Sequence, residues 1–174
     1  HLEVVGNAFA DQLREGGPRS VRVDKARWFK VNKIENWVNS VEDLKLIESQ
    51  DGAAQFFGAR GFVAERYKGE YWILCWDEPG YRLTENDGSW QVSRAFEEAD
   101  QFGRPGIGFE MDALGASRLA DLTGANINRK MAVPLAAQIY TAPSLNSSRL
   151  SPWTIRLPLA ASPADNSDTG SSSL

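Results

Sequence analysis

The spacing of apolar residues divides the chain into short runs of two periods. In residues 2–14, Val5, Phe9 and Leu13 fall on one stripe at helical spacing, which predicts a short amphipathic helix stopped by Gly16-Gly17-Pro18. Residues 21–31 read as a strand, with Val21 and Val23 alternating against Arg22 and Asp24. Ser40 with Asp43 three positions later is the acidic variant of a capping box. It opens a helix carried by Val41, Leu44 and Ile47 and closed at Asp51-Gly52. Residues 62–67 and 71–76 are β-rich runs joined across Lys68-Gly69-Glu70, a predicted hairpin. Its second run is apolar on both faces, as a central strand would be, with Trp72 and Trp76 on one face and Cys75 on the other.

Turn clusters follow at residues 77–80 and 85–88. Residues 91–100 fit strand or helix: Ser93 and Phe96 with Glu97 and Glu98 suit a helix, and the pattern alone leaves the type open. Residues 106–111 alternate as a strand with Ile107, Phe109 and Met111 on one side. Asp112 then caps a helix over residues 113–127 whose expected buried face is Leu114, Ala116, Leu119 and Leu122. Residues 131–135 and 138–142 form a further strand pair. The expected architecture is a single α+β domain over residues 1–159, a mainly antiparallel sheet with helices packed on one face. Residues 160–174 carry almost nothing apolar and read as a disordered tail or linker.

Composition narrows the function classes. The 174 residues are 42% hydrophobic and 24% charged, enough for a real core, and the net charge of -4 with scattered Lys and Arg argues against a nucleic-acid partner. No apolar run approaches the roughly 20 residues that span a bilayer. The chain begins at His1 instead of Met, so the expectation is a processed product or excised fragment with any targeting segment upstream. The single cysteine, Cys75, excludes an internal disulfide and reads as a buried structural thiol.

Catalytic patterns are missing. One histidine, at the terminus, leaves none for general-base work or a metal triad, and no cysteine cluster suggests zinc, so no catalytic residue, metal or cofactor is expected. The glycine-rich residues 103–108 lack the Gly-Lys-Ser/Thr ending of a phosphate loop and precede a strand where a dinucleotide loop would follow one. Glu97, Glu98 and Asp100 suit a solvated charged face, and an acid-dependent carbohydrate-active enzyme would need two facing carboxylates in a cleft. Six tryptophans are many for this length, and most suit a core. Trp72 and Trp76 are the candidates for an aromatic surface that binds polypeptide.

Residues 103–147 carry a series of motifs. Gly103-Arg104-Pro105 leads into a strand ending Phe109-Glu110-Met111; Gly115-Ala116, Leu119, Leu122-Thr123 and Asn126 follow, then Met131-Ala132-Val133 and Ala142-Pro143. In order and spacing this series resembles the extracytoplasmic head region of the SecD protein-export subunit, loosely from residue 83 to residue 150. Two departures stand out: Ala136-Ala137 replaces the usual Asp-Gly turn, so an open, longer or bulged hairpin is expected, and residues 148–153 replace a Gly-rich continuation. The resemblance implies a non-catalytic module on the periplasmic side of the cytoplasmic membrane. Its partners would be emerging unfolded polypeptide or Sec translocon subunits, and membrane contact would come only through segments outside this chain. The alternative is a structural or adaptor envelope domain that kept the fold without client binding.

Overall fold

A computed structural model describes residues 2–20, 25–84, 86, 88–99, 105–145 and 153–155, with the backbone alone for residues 2–7, 105 and 153–155. In chain order the elements are α1 (Leu2–Gly16), β1 (Ala26–Val31), a 3-10 turn (Ile34–Asn36), α2 (Val41–Glu48), α3 (Gly52–Gly58), β2 (Ala64–Tyr67) and β3 (Glu70–Trp76). Then come β4 (Val92–Ala99), β5 (Pro105–Met111), α4 (Ala113–Ala125), β6 (Val133–Leu135), β7 (Gln138–Thr141) and β8 (Trp153–Ile155). The expected tail at 160–174 and the turn at Gly103 lie outside the described residues.

Local chemistry sets the helix ends. Gly17, at φ +80°, stops α1 and donates its N–H to the Leu13 carbonyl at 2.8 Å. At the start of α2 the Ser40 hydroxyl accepts from the Asp43 N–H at 3.0 Å, while the Asp43 carboxylate reaches back to the Asn39 N–H at 3.1 Å. Asp112 caps α4 by accepting from the Gly115 N–H at 2.8 Å. Asp51 adopts the left-handed region, φ 57°, and turns the chain directly into α3, a seven-residue helix that the sequence pattern does not predict. Gly52 is required there, because a Cβ on it would lie 1.8 Å from the Leu46 carbonyl oxygen.

The strands form two sheets, one ordered β2-β3-β1-β7-β6 and the other β4-β5-β8, antiparallel throughout except where β1 runs parallel to β7. This is the expected mainly antiparallel α+β class, and β3 is internal as its two apolar faces require. The helices, however, do not share one face. Phe29, Val31, Tyr71, Ile73 and Cys75 point toward α2 and α3, packing with Ile47, Ala53, Phe56 and Phe57. Ala26, Trp28, Trp72, Leu74 and Trp76 point the other way, against Phe9 and Leu13 of α1. A strand apolar on both faces needs cover on both, and α1 supplies the second layer.

Residues 92–99, open between helix and strand in the sequence, form a strand paired with β5 from Arg94↔Glu110 to Ala99↔Pro105. Only Phe96 is half-buried along it, so the hydrophobic pattern carries no period to read. In α4 the buried residues are Gly115, Leu119 and Thr123, while Leu114, expected to be buried, is 43% exposed. The hairpin between β6 and β7 is tight instead of open or longer: Ala136 and Ala137, at φ 47° and 64°, make a two-residue turn closed by the Leu135↔Gln138 pair. The irregularity sits earlier, as a register shift between Val133 and Pro134.

Candidate functional site

Among the described residues, the three-stranded sheet leaves one edge of β4 without a strand partner. Its inner side is set by a close cross-strand fit. Phe96 lies opposite Gly108, where a Cβ would come within 2.4 Å of the ring, so glycine lets the ring lie flat on the neighbouring strand. The Arg94 guanidinium sits 4.7 Å from the Phe96 ring centroid and pairs with Glu110 at 3.3 Å.

The motif residues that suggested this region hold it together. Gly115 is buried against Met111, whose methyl would lie 2.9 Å from an added Cβ. Leu119 and Thr123 are buried, with the Thr123 hydroxyl donating to the Leu119 carbonyl at 2.8 Å, and Ala116 and Leu122 are half-buried beside them. The Asn126 amide donates to the Leu122 carbonyl at 2.8 Å and closes the helix. Phe109 is half-buried in β5, and Pro105 begins that strand. Ala142 and Pro143 follow the end of β7, the Pro143 carbonyl accepting from the Met131 N–H at 2.9 Å.

The other strand edges are differently treated. In the five-stranded sheet, β2 is packed by both α1 and α3, and β6 carries Pro134 and its register shift. Beyond β5 the three-residue β8 forms the opposite edge of the small sheet. The eight residues of β4 are the longest run of edge backbone among the described strands.

Trp72 and Trp76, the candidate polypeptide-binding pair, sit elsewhere, on the face of the five-stranded sheet beneath α1. Both are half-buried; the Trp76 ring lies 5.8 Å from the Tyr81 ring. Trp28 on the same face is 3% exposed. The indole N–H groups of Trp28 and Trp72, and that of Trp37 on the opposite face, are buried without an acceptor among the described residues. Trp90, in contrast, donates to the Thr84 carbonyl at 2.7 Å.

One charged cluster was invisible in the sequence because its members lie 51 positions apart. Glu65 is 5% exposed, and its carboxylate takes Arg14 Nη2 at 2.5 Å and the Arg66 backbone N–H at 2.8 Å. The hydrogen bond to Glu65, with its charge and those of Asp11 and Asp51, raises the pKa of Arg14 despite some desolvation. Arg14 and Glu65 line a cleft of about 380 Å³ with Glu48, Asp51 and Arg66. Cys75 is half-buried among the α2 and α3 packing residues; burial, then the Asp77 carboxylate, push its thiol up to about 12, which agrees with a structural thiol.

Among the described residues no group of His, Cys, Asp and Glu is placed to hold a metal ion, and no helix is long and apolar enough to cross a membrane. Comparison with known proteins points to one family. Residues 85–153 match the family model of the SecDF P1 head subdomain. The chain is 37% identical over 103 residues to the protein translocase subunit SecD of Sebaldella termitidis, covering 59% of this chain and 25% of that protein. It is 31% identical over 124 residues to SecD of Leptotrichia buccalis, covering 67% of this chain and 31% of that protein. It thus spans only about a quarter to a third of these relatives. Among solved structures, a SecDF crystal structure in a super-membrane-facing form aligns at a TM-score of 0.41 and 18% identity, over 76% of this chain and 16% of that one. A membrane component SecDF that enhances protein export aligns at 0.35 and 14%, over 76% and 84%. Residues 85–153 are a head subdomain of the SecDF P1 type, carried by protein-translocase subunits of the SecD family.

Proposed function

We propose that this region works on the extracytoplasmic side of the membrane, holding an extended stretch of emerging polypeptide along the outer edge of β4 without catalysing any reaction on it. The observation that carries the reading is the contrast between edges among the described residues. β2 is four residues long and gives its Arg66 N–H to the Glu65 carboxylate, and β6 is three residues long and holds a proline. β4, whose register shift lies at its start between Val92 and Arg94, runs on unpaired along one edge to Ala99. An unpaired strand edge takes an added strand through main-chain hydrogen bonds, which suits a client of arbitrary sequence. Arg94, Glu97 and Glu98 on β4 keep that edge from pairing readily with a second copy, since charges on an edge oppose tight sheet stacking. The Sec translocon is the partner class that the SecD relatives suggest.

The test is a titration of labelled unfolded peptides, each in a plain form and in a form N-methylated at every residue, since alternate residues alone present their N–H groups to only one edge of a strand. Edge pairing needs the peptide N–H groups, so the plain form should bind and the methylated form should bind about tenfold more weakly or worse. Absence of binding at high micromolar peptide, or equal binding of the two forms, would refute edge capture. A single stable partner pulled from an envelope extract, with no peptide binding, would favour an adaptor role in its place.

A further inference from the structure

The face beneath α1 has the makings of a second polypeptide surface whose occupant is α1 itself. Trp28, Trp72, Leu74 and Trp76 form an aromatic plane on one side of β1 and β3, and α1 meets it through Phe9 and Leu13. Of the described α1 side chains, which begin at Ala8, Ala10 and Leu13 are buried and Phe9 half-buried. Among the described residues, the Arg14–Glu65 pair supplies the polar fastening to the sheet. Gly17, at φ +80° and buried against the Tyr67 ring, ends the helix at a residue able to take other backbone conformations.

Two polar atoms on this face are left without partners among the described residues. The indole N–H groups of Trp28 and Trp72 are buried without an acceptor among the described residues, and the stretch of α1 from Phe9 to Leu13 has its carbonyls engaged by N–H groups four positions on, the last of them that of Gly17. Trp28 pairs with Leu74 and Trp72 with Lys30 across β1 and β3, so the two indoles are diagonal neighbours on one face. An extended apolar segment presents free backbone carbonyls and alternate side chains, and would satisfy both demands.

We propose that α1 is a displaceable strap over the Trp28–Trp72–Trp76 face, and that an extended apolar stretch of polypeptide competes with it for that surface. This rests on the polypeptide-holding reading but concerns a different surface from the β4 edge. Loosening the strap should raise affinity there, because the binding-competent fraction multiplies the intrinsic affinity.

The peptide N-methylated at every residue separates the surfaces: methylation removes the N–H groups that edge pairing needs on both sides of the strand and leaves the carbonyls. In Arg14→Ala, which releases the ion pair, this peptide should bind ~10-fold more tightly than in the wild type and shift the tryptophan emission. Phe9→Ala loosens the helix with Glu65 still paired, and gives the same readout if Arg14→Ala fails to fold. Equal affinity in the wild type and in the folded variants would overturn the proposal. If the plain peptide binds the wild type but the methylated one binds no variant, the strap inference alone falls. Should neither peptide bind any variant, the polypeptide-holding reading falls with it.

Discussion

The turn between β6 and β7 offers a direct test of backbone strain. Ala136 and Ala137 occupy the left-handed region at φ 47° and 64°, which an alanine Cβ resists. The left-handed conformation costs an ordinary residue ~1–2 kcal/mol, whereas Asn and Gly adopt it readily at the two central positions of such a turn. Against this, glycine loses ~0.5–1 kcal/mol more conformational entropy on folding than alanine does. The double change Ala136→Asn with Ala137→Gly should therefore stabilise the fold by ~1–2 kcal/mol, raising Tm by roughly 5 °C for a chain of this size. Urea unfolding followed by tryptophan emission measures it. The β2–β3 hairpin is an internal control of opposite sign. Gly69 sits at φ +81°, and a Cβ added there would meet nothing within 4 Å, so Gly69→Ala should lose ~1 kcal/mol from backbone conformation alone. If the double variant is unchanged or weaker while Gly69→Ala costs the expected amount, the alanine turn is not strained and the reasoning fails.

Gly52→Ala drives a Cβ into the Leu46 carbonyl, a backbone atom that cannot rotate away, and should cost ~3 kcal/mol or more in chemical unfolding. Gly108→Ala should cost ~1–3 kcal/mol by lifting Phe96, and combining it with Phe96→Ala should cost less than the sum of the two single changes, as read by a double-mutant cycle. The Cys75 thiol contributes stability that is complete below its ordinary value of 9.0 and is lost as pH rises toward about 12, because the unfolded chain gives up the proton first. Between those limits the wild type should lose ~1.4 kcal/mol per pH unit relative to Cys75→Val, measured as urea midpoints from about pH 8 to about pH 10.5.

Features governed by neighbours in sequence were legible. The Gly17 stop, the Ser40 and Asp112 caps and the Lys68-Gly69 turn each depend on residues within four positions, and all form as their chemistry dictates. Features governed by distant partners were not. The α3 helix is too short to show a period and exists because Phe56 and Phe57 are buried completely against the sheet. Strand β4 is defined by its pairing with β5, since its own side chains are nearly all exposed. The two apolar faces of β3 did hold a signal for cover on both sides, and a one-sided arrangement of helices is inconsistent with it. For the candidate surfaces, the aromatic pair was readable from alternation, but its position under α1 depends on the contacts of Leu13 and on an ion pair that no local pattern announces.

The family segment is continuous in sequence but divided in space. β4, β5 and β8 build the three-stranded sheet, whereas β6 and β7 leave it and enter the five-stranded sheet beside β1. Entry is fixed by the Lys30↔Gln138 and Val31↔Ile139 pairs and by the Asn32 side-chain amide donating to Gln138 at 2.8 Å. Ile139 is fully buried in the same cluster as Phe56 and Ile73. One backbone path, through α4, therefore leads from the sheet with the open edge to a strand locked into the main core. The residues that make the family recognisable, Gly115, Leu119, Thr123 and Asn126, lie along that path. Gly115 sets α4 close against Met111 of β5, and Leu119, Thr123 and Asn126 are buried, so the family pattern reads as packing chemistry, while the candidate binding surfaces lie on β4 and beneath α1, outside the motif.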